Sequence, residues 1–504
     1  MFFNSHLYIF LFLPIAVAGF FVLARLGGEI VAITWLVLLS LVFYGWWDPI
    51  FVPLLLGSVA VNYLFGSYLQ TAEDRRVAGY VLAIGVICNL LLLGYFKYAG
   101  FFADIAGNLI GADFHVGKII LPLGISFFTF QQIAYLVDSH KQDAAPGGFM
   151  RYCLFVTFFP KVVTGPIVRQ KDMMPQILDS SIYRFVPHNI AVGLGIFTIG
   201  LFKKVIIADG LALVVAPAFS QAAAGHDPGF YMSWLAAFAY ALQVYFDFSG
   251  YTDMAIGAAL MFGIHLPANF YSPYKADSIT ELWRRWHMTL TRLITEFIFT
   301  PLSLRLARLS LDLSSNRWLM IVLANVLPLI TALAVVGLWH GAGWTFVLFG
   351  LFHGVLMSVH VLWQELRRAM GLKLKMPTVL GVFLTLIVWV WGVVLFRAPN
   401  LTAASIMYES MLNFSAALQG FDAPVVLCVG IMLLYLLVLT LPNTEQLFHK
   451  YRPKLADKSL ERSRISLTRF TWHENSAWAI FLGVLFFVAV LLMQPKVEFI
   501  YLQF

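Results

Sequence analysis

The chain has 504 residues, of which 60% are hydrophobic and only 12% are charged, and its mean hydropathy is +0.82. Soluble domains carry about 25% charged residues, and no single core could hide this much apolar surface, so the composition excludes a soluble globular protein. The net charge of +7 does not indicate nucleic-acid binding, because the basic residues gather in short loops between apolar runs.

Apolar runs long enough for a helix to cross a bilayer recur along almost the whole chain. They predict an all-α polytopic membrane protein with one integral-membrane domain over 1–504. The predicted spans are 7–24, 30–47, 50–70, 78–96, 119–137, 152–168, 190–216, 232–263, 318–339, 344–363, 378–396, 424–441 and 477–494. Re-entrant or tilted pieces are expected near Pro160, near Pro217 and at Lys203-Lys204.

Loop charges predict the orientation. The segment 70–76 holds two arginines, and the loop at about 445–475 is the most basic of the chain, so both are expected in the cytoplasm. The N-terminus, the loop Trp46-Trp47-Asp48 and the C-terminal stretch 499–504 are then expected outside.

A first polar stretch lies within the predicted span 152–168. From 158 to 169 the chain carries two prolines, a glycine and the cations Lys161 and Arg169. This composition predicts an irregular segment that lines a cavity, where Lys161 would contact an anionic substrate group. A simple interfacial loop is the alternative.

Two carboxylates, Asp247 and Asp253, stand within the predicted span 232–263, with Ser249 between them. Six residues of helix separate the carboxylates by about 9 Å, which argues against a single shared proton site. The sequence leaves open whether these residues have a direct chemical role or bond structurally to backbone or arginine.

The stretch 280–289 alternates aromatic and cationic residues, a pattern typical of an amphipathic interfacial helix. Its central residues are Trp283, Arg284, Trp286 and His287. The functional alternative is that His287 converges on one site with a histidine from another helix, one acting as base and the other as orienter or charge stabiliser.

The most informative residue is His340, which ends an apolar run in the string Trp339-His340-Gly341. Histidine is costly in hydrocarbon unless it faces protein or a watery cavity, and it moves protons readily near neutral pH. Gly341 and Gly343 would let the helix break there and bring backbone close to a substrate. A helix-end histidine bonded to a carbonyl is the alternative.

Other types of site lack their motifs. The three cysteines have neither pairing nor metal spacing, and no His-Glu-x-x-His, phosphate-loop, dinucleotide or nucleophile-elbow pattern occurs. We therefore expect no metal site and no tightly bound cofactor.

Six strings of residues occur in the order found in one family. They are LPLGISFFTFQ at 121–131, FFPKVVTGPI at 158–167, YFDFSGYTDMA at 245–255, LWRRWH at 282–287, GLWHGA at 337–342 and EFIYLQF at 498–504. With them the chain resembles the membrane-bound O-acyltransferases, and within them the bacterial alginate O-acetyltransferase branch. Its length and C-terminal tail resemble that branch more than the D-alanine transferases of teichoic acid.

The resemblance implies a ring of roughly 11–13 transmembrane or re-entrant helices around a thinner core, with a tunnel open to both membrane faces and a catalytic core at about 119–365. It implies that His340 and His287 are the catalytic positions. The residues expected to bind substrate or line the tunnel are Trp339, Trp283, Arg284, Trp286, Asp247, Ser249, Asp253 and Lys161.

The resemblance also implies the chemistry. A cytoplasmic acyl thioester, with acetyl-CoA as the expected donor, would meet an acceptor hydroxyl that arrives from outside. His340 would take the hydroxyl proton, and His287 would bond the substrate or stabilise developing charge. A reference pKa of about 6.5 leaves histidine mostly neutral, and so basic, at pH 7.

The implied setting is the bacterial inner membrane, with lipid, a polysaccharide acceptor and periplasmic acetyltransferase partners of the SGNH type. Phe499, Tyr501 and Phe504 form a docking element for such a partner or only an unstructured tail. The cations at 161, 169, 203 and 204 could bind coenzyme A phosphates or only anionic lipid head groups.

Three other functions stay open at this point. The chain could transfer D-alanine or another acyl group to a cell-wall polymer. It could move an acyl carrier or glycan without chemistry, or it could be a membrane scaffold that recruits exopolysaccharide enzymes.

Overall fold

The computed structural model describes residues 1–111, 117, 119–145, 147–313, 316–372, 376–418, 420–421, 423–451, 471–494 and 499–500. In these ranges all regular structure is helical, which confirms the all-α prediction. Most of the basic loop predicted at about 445–475 lies outside the described residues, and so do Tyr501 and Phe504.

The helices of the N-terminal half are α1 (Leu13–Gly45), α2 (Val52–Thr71), α3 (Arg75–Leu93), α4 (Ala99–Ile110), α5 (Ile125–His140), α6 (Phe149–Thr157), α7 (Gln170–Leu178), α8 (Pro187–Phe202), α9 (Asp209–Ala223) and α10 (Phe230–Met261). Those of the C-terminal half are α11 (Ile279–Arg285), α12 (Met288–Ile294), α13 (Thr300–Leu313), α14 (Arg317–Ile321), α15 (Leu327–His340), α16 (Trp344–Ala369), α17 (Thr378–Arg397), α18 (Leu401–Leu412), α19 (Phe414–Ala417), α20 (Val425–Thr440), α21 (Thr444–Leu447) and α22 (Ser476–Leu491).

Short segments of other helix types extend or connect these helices. π-Helical segments lie at Tyr8–Phe12, Gly94–Tyr98, Lys203–Ala208, Thr295–Phe299 and Val322–Val326. Turns of 3₁₀ helix lie at Pro49–Phe51, Ser180–Tyr183, Pro273–Lys275 and His449–Tyr451. The pair Lys203-Lys204 therefore widens the helix locally without breaking it.

By length and composition, seven continuous helical segments of the described chain can cross a membrane. They are Tyr8–Gly45, Pro49–Thr71, Arg75–Ile110, Pro187–Ala223, Arg317–His340, Trp344–Ala369 and Thr378–Arg397. Two shorter apolar helices, Val425–Thr440 and Ser476–Leu491, accompany them. Together they confirm a polytopic membrane protein.

The first of these segments contains two predicted spans. The helix kinks at Gly28, where φ is +82°, a backbone conformation that suits glycine. The two halves fold back on each other, since the indole nitrogen of Trp35 donates to the carbonyl oxygen of Ala16 at 3.2 Å. The separate spans predicted at 7–24 and 30–47 are thus the two arms of one hairpin.

Two other predicted spans are corrected by the structure. The span at 152–168 is wrong, because α6 ends at Thr157 and the chain from 158 to 169 forms turns around Pro160, as the irregular-segment prediction required. The span at 232–263 is helical, but protein buries nearly all of α10 from Leu235 onward. Its apolar side chains therefore pack mainly against other parts of the protein rather than against lipid.

Helix α10 reaches this central position through contacts between glycines. A Cβ atom at Gly193 would lie 2.7 Å from the carbonyl oxygen of Gly257, and one at Gly200 would lie 2.5 Å from that of Gly250. Small residues let helix backbones approach closely where lipid supplies no hydrophobic drive for association. The crossing of α8 and α10 therefore tolerates no side chain at these four positions.

Candidate active site

His340 lies at the end of α15, where the chain breaks before α16. Gly341 and Gly343 are extended, with φ of −161° and −166°, which any residue can adopt. Position 341 requires a glycine for steric reasons, because a Cβ atom at Gly341 would lie 2.2 Å from the ring of Phe346. The break predicted at these glycines is confirmed.

Two residues that follow α3 hold the carboxyl end of α15. The ammonium of Lys97 donates to the carbonyl oxygens of Trp339 at 2.6 Å and of His340 at 3.2 Å, and the hydroxyl of Tyr98 donates to that of Leu338 at 2.9 Å. The last carbonyls of a helix have no partner within it, and a cation there suits the helix dipole. Lys97 and Tyr98 therefore fix the backbone that carries His340.

Aromatic rings enclose the imidazole of His340, and the residue is only 5% exposed. Its ring centroid lies 4.9 Å from Trp339, 5.0 Å from Phe396 and 6.4 Å from Phe349. Such a setting excludes bulk water and strengthens electrostatic interactions with a bound reactant.

His287 lies between α11 and α12 with its backbone in the left-handed region, at φ 43° and ψ 51°. This conformation costs a residue other than glycine about 1–3 kcal/mol and is typical of functional sites. The side chain is 1% exposed, and its Nδ1 atom lies 3.0 Å from Oδ1 of Asn269. The ring of Phe248 packs edge-on against it at 4.7 Å.

The structure brings the two histidines together. Their ring centroids are 6.5 Å apart, and the ring of Trp339 lies 5.6 Å from His287 and 4.9 Å from His340. A general base must come within about 2.6–3.2 Å of the atom whose proton it takes. A reacting group held between the rings is within reach of both, although the catalytic roles of the two residues stay a prediction.

A cleft of about 80 Å³ leads to His340. Three of the motif strings contribute to its wall, through residues 121–127, 163–164 and 339–340, together with Trp47 and Lys97. Because Trp47 belongs to the loop predicted outside, the mouth lies on the predicted extracytoplasmic side.

One glycine allows two of these strings to meet. Gly124 starts α5 at φ 68°, and a Cβ atom there would lie 2.6 Å from the carbonyl oxygen of Val162. Both the left-handed backbone and the close approach require glycine at this position. The wall of the cleft is therefore built from tightly packed backbone.

The predicted tryptophans occupy two layers. Trp339 contacts both histidines, whereas Trp283 packs behind them at 6.2 Å from Phe349, and Trp286 packs at 4.7 Å from Trp389. Among the described residues the indole nitrogens of Trp283 and Trp339 have no hydrogen-bond partner. Trp339 is the tryptophan placed to contact a substrate directly.

The two predicted cations differ in exposure. Lys161 is fully buried, and its ammonium donates to Oε1 of Gln131 at 2.7 Å and lies over the ring of Phe155. The side chain of Arg284 is 69% exposed and lies 3.8 Å from the carboxylate of Glu281. Lys161 thus supports the protein interior, and Arg284 is open to an incoming group.

Asp247 lies away from the histidines, in an ion-pair cluster between the π-helical segment Lys203–Ala208 and α10. Lys204 Nζ lies 2.7 Å from carboxylate oxygens of both Asp247 and Asp209. The backbone N–H of Ile500 donates to the second oxygen of Asp247 at 2.9 Å. The prediction of structural bonding named arginine or backbone as the partner, and the structure supplies lysine and backbone.

Ser249 and Asp253 border a second, much smaller cleft of about 10 Å³. Asp253 accepts there from Lys203 at 2.7 Å and from the hydroxyl of Thr444 at 2.7 Å. Asn269, the partner of His287, also lines this cleft. Because Thr444 directly precedes the basic loop predicted in the cytoplasm, this cleft lies on the predicted cytoplasmic side.

Comparison with known proteins identifies the family. The model of the MBOAT, membrane-bound O-acyltransferase family matches residues 125–398. The chain belongs to the membrane-bound O-acyltransferase family. It is therefore an enzyme that transfers acyl groups. The described residues contain no group of three side chains that could hold a metal ion.

Three relatives place this O-acyltransferase within the family. It is 39% identical to the peptidoglycan O-acetyltransferase of Helicobacter pylori, over 82% of this chain and 80% of that one. It is 36% identical to the "Probable alginate O-acetylase" of Pseudomonas aeruginosa, over 92% and 85%. A teichoic acid D-alanyltransferase of Streptococcus thermophilus is 25% identical, over 69% and 79%. The expected likeness to the alginate branch is confirmed.

Several residues that shape the site of this O-acyltransferase escaped the sequence analysis. Asn269 and Thr289 hold His287, and Lys97 and Tyr98 hold the end of α15. A lysine that closes an apolar run was a visible signal for Lys97. Asn269 stands in a loop without any motif, so only its contact with His287 reveals it.

Proposed function

We propose that this O-acyltransferase moves an acetyl group from a cytoplasmic thioester, acetyl-CoA, toward a hydroxyl of an extracytoplasmic polysaccharide or cell-wall polymer. The observation that carries the proposal is the pair of buried histidines, 6.5 Å apart, of which His340 lines a cleft. Paired imidazoles in a site sheltered from water suit proton transfer to and from a reacting hydroxyl.

In the proposed reaction His340 removes the proton of the acceptor hydroxyl as its oxygen attacks the thioester carbonyl. The carbon–sulfur bond then breaks, and the proton passes from His340 to the departing thiolate. Lys97 and Tyr98 keep His340 in place, and the glycine break gives substrates access to it. His287 is close enough to contact the same reacting group.

The two clefts support entry from opposite sides. The larger cleft reaches His340 from the side of Trp47, which suits the acceptor. The smaller one lies between Thr444 and Asn269, on the side assigned to the thioester, and would have to widen to admit it. With the predicted loop orientation, the acetyl group would cross the membrane as it is transferred.

The donor phosphates need a cation that is not already paired. Lys161, Lys203 and Lys204 each have a protein partner, and so does Arg169, which pairs with Asp138. The side chain of Arg284 is largely exposed and only loosely paired with Glu281. We therefore assign phosphate binding to Arg284 and structural roles to the four paired cations.

The names of the relatives indicate the chemical class of the acceptor. Two named relatives acetylate peptidoglycan or alginate according to their names, and both are more similar to this chain than the D-alanyltransferase. An acetyl group and a glycan hydroxyl therefore fit better than D-alanine. The enzyme would lie in the bacterial inner membrane and pass the acetyl group to a periplasmic partner of the SGNH type.

The first test measures acetyl release from acetyl-CoA by the purified chain in nanodiscs, with the neighbouring periplasmic proteins supplied. His340→Ala should lower turnover by roughly 10²–10⁴-fold, the usual contribution of a general base, and His287→Ala should also lower it. The matched control is His360→Ala, a histidine about 24 Å along α16 from its start at 1.5 Å per residue.

The two outcomes separate the functions. Loss of turnover with His340→Ala and normal turnover with His360→Ala support an acyltransferase. Equal turnover of the native and His340→Ala proteins would sink the mechanism, and acetyl movement that survives the substitution would favour a transporter.

A further inference from the structure

A buried hydrogen-bond chain fixes which nitrogen of His287 carries the proton. Oδ1 of Asn269 accepts from the backbone N–H of Thr289 at 3.3 Å and from its hydroxyl at 3.0 Å, and it lies 3.0 Å from Nδ1 of His287. A backbone N–H can only donate, so the amide atom that faces Thr289 is the oxygen. Nδ1 of His287 must therefore be the donor in its contact with Asn269.

Further hydrogen bonds prevent the side-chain amide of Asn269 from rotating so that its nitrogen would face His287. The backbone N–H of Ile167 donates to the hydroxyl oxygen of Thr289 at 3.1 Å, which directs the hydroxyl proton at Asn269. The backbone N–H of Met288 donates to the main-chain oxygen of Asn269 at 2.9 Å. Asn269 is 1% exposed. Its side-chain oxygen is thus held facing His287.

The opposite nitrogen of His287 is left available for a substrate. A neutral imidazole with its proton on Nδ1 has a lone pair on Nε2, which accepts hydrogen bonds. In the described part of the chain this Nε2 atom has no partner although it is buried. An unmatched buried polar atom costs about 1–3 kcal/mol, and a bound hydroxyl would supply the missing donor.

We propose that Asn269 is a positioning residue, which holds His287 in the Nδ1–H form so that Nε2 accepts a hydrogen bond from a second hydroxyl of the acceptor, next to the attacking one. In this form His287 cannot donate to a negatively charged oxygen that develops on the thioester carbonyl. His287 orients the acceptor through this second hydroxyl, while His340 takes the proton of the attacking hydroxyl. The inference deepens the proposed acetyl transfer and rests on it.

The test compares the pH dependence of kcat/KM for acetyl transfer by the full chain with its partners present. Asn269→Asp keeps the accepting oxygen and adds a negative charge, which stabilises the protonated imidazole. Protonated His287 has no acceptor lone pair, so the acidic limb of the profile should move to higher pH by about 1 unit or more, as expected for a charge within hydrogen-bond distance.

Asn269→Leu removes the accepting oxygen and frees the imidazole to change tautomer. kcat should fall by roughly 10- to 10⁴-fold, the range reached when a catalytic histidine loses its orienting partner, while KM for acetyl-CoA changes little. The matched control is Asn89→Leu, which breaks the buried pair with Asn62. It should lower the melting temperature and leave the pH profile unchanged.

Two results would overturn the inference: an Asn269→Asp protein with the native pH profile, or a folded Asn269→Leu protein with native kcat. If Asn269→Leu does not fold, the profile of Asn269→Asp decides. Failure of the proposed function has a different signature, because the native chain would then release no more acetyl than His340→Ala.

Discussion

Two buried polar clusters of this protein differ in whether the protein itself supplies partners for their polar groups. Around Lys204, each charge has a partner, since the ammonium meets two carboxylates and Asp247 also binds a backbone N–H. At the histidine pair, the Nε2 atom of His287 has no partner within the described chain, and a cleft reaches His340. The charges of the first cluster are compensated by ion pairs within the protein, whereas the second cluster keeps an acceptor atom for a ligand.

The contrast shows how to tell structure from function among polar residues in an apolar chain. Burying either cluster has an unfavourable free energy, so this free energy alone does not identify a ligand-binding or catalytic site. What separates them is whether the protein itself places an oppositely charged partner beside the buried group and whether a cleft reaches it.

Lys204→Met should produce the largest loss of stability. It strands Asp247 and Asp209 without their cation, and removing one partner of a buried ion pair costs about 3–5 kcal/mol. The free energy of unfolding in detergent should fall accordingly, and the specific activity of the folded fraction should not. Adding Asp247→Asn to Lys204→Met should restore part of the lost stability; an additive loss would contradict the pairing.

Lys97→Met should act mainly on activity. The substitution keeps most of the side-chain volume but leaves the carbonyl oxygens of Trp339 and His340 without their donor. A slightly misplaced His340 should lower kcat by roughly 10- to 100-fold. Lys97→Arg, which keeps the cation, should recover part of that loss, and equal activity of both variants would refute the positioning role.

Gly350→Ala should loosen the helix pair that flanks the site. A Cβ atom at Gly350 would lie 2.2 Å from the carbonyl oxygen of Leu333, so α15 and α16 would have to separate. The strain should cost about 1–3 kcal/mol, measured as a lower melting temperature. Gly430→Ala, where a Cβ atom meets nothing within 4 Å, is the control and should melt normally.

Arg284→Ala should have the smallest effect on stability, because an exposed ion pair contributes about 0–1 kcal/mol. If Arg284 binds donor phosphates, KM for acetyl-CoA should rise while kcat stays near native. The increase should shrink at high salt, where screening weakens the native interaction. An unchanged KM would remove Arg284 from the donor site.

Local chemistry explains what the sequence predicted correctly. The break after His340 was predictable because two glycines lie within three residues, and the polytopic class followed from apolar runs. The membrane span predicted from hydropathy at 152–168 is wrong. The apolar run looks long enough to span a membrane, but the helix ends at Thr157, shortly before Pro160. Hydropathy also could not show that protein surrounds α10, because apolar side chains suit lipid and core alike.

Long-range contacts explain what the sequence could not give. The pairing of Lys204 with Asp247 joins residues 43 positions apart, counted from their numbers, and the contact of Asn269 with His287 depends on a loop without a motif. The convergence of the two histidines was raised as one alternative for the stretch 280–289. Only the folded chain distinguishes it from a helix at the membrane interface.

The hydrogen bond from Ile500 to Asp247 has a consequence for biogenesis. Lys204 and Asp209 leave the ribosome before Asp247, so α8 to α10 can enter the membrane as a unit whose charges are already compensated. The backbone of Ile500 arrives 253 residues after Asp247. This hydrogen bond to the central helix can therefore form only after residue 500 has left the ribosome, when α8 to α10 have already been synthesised.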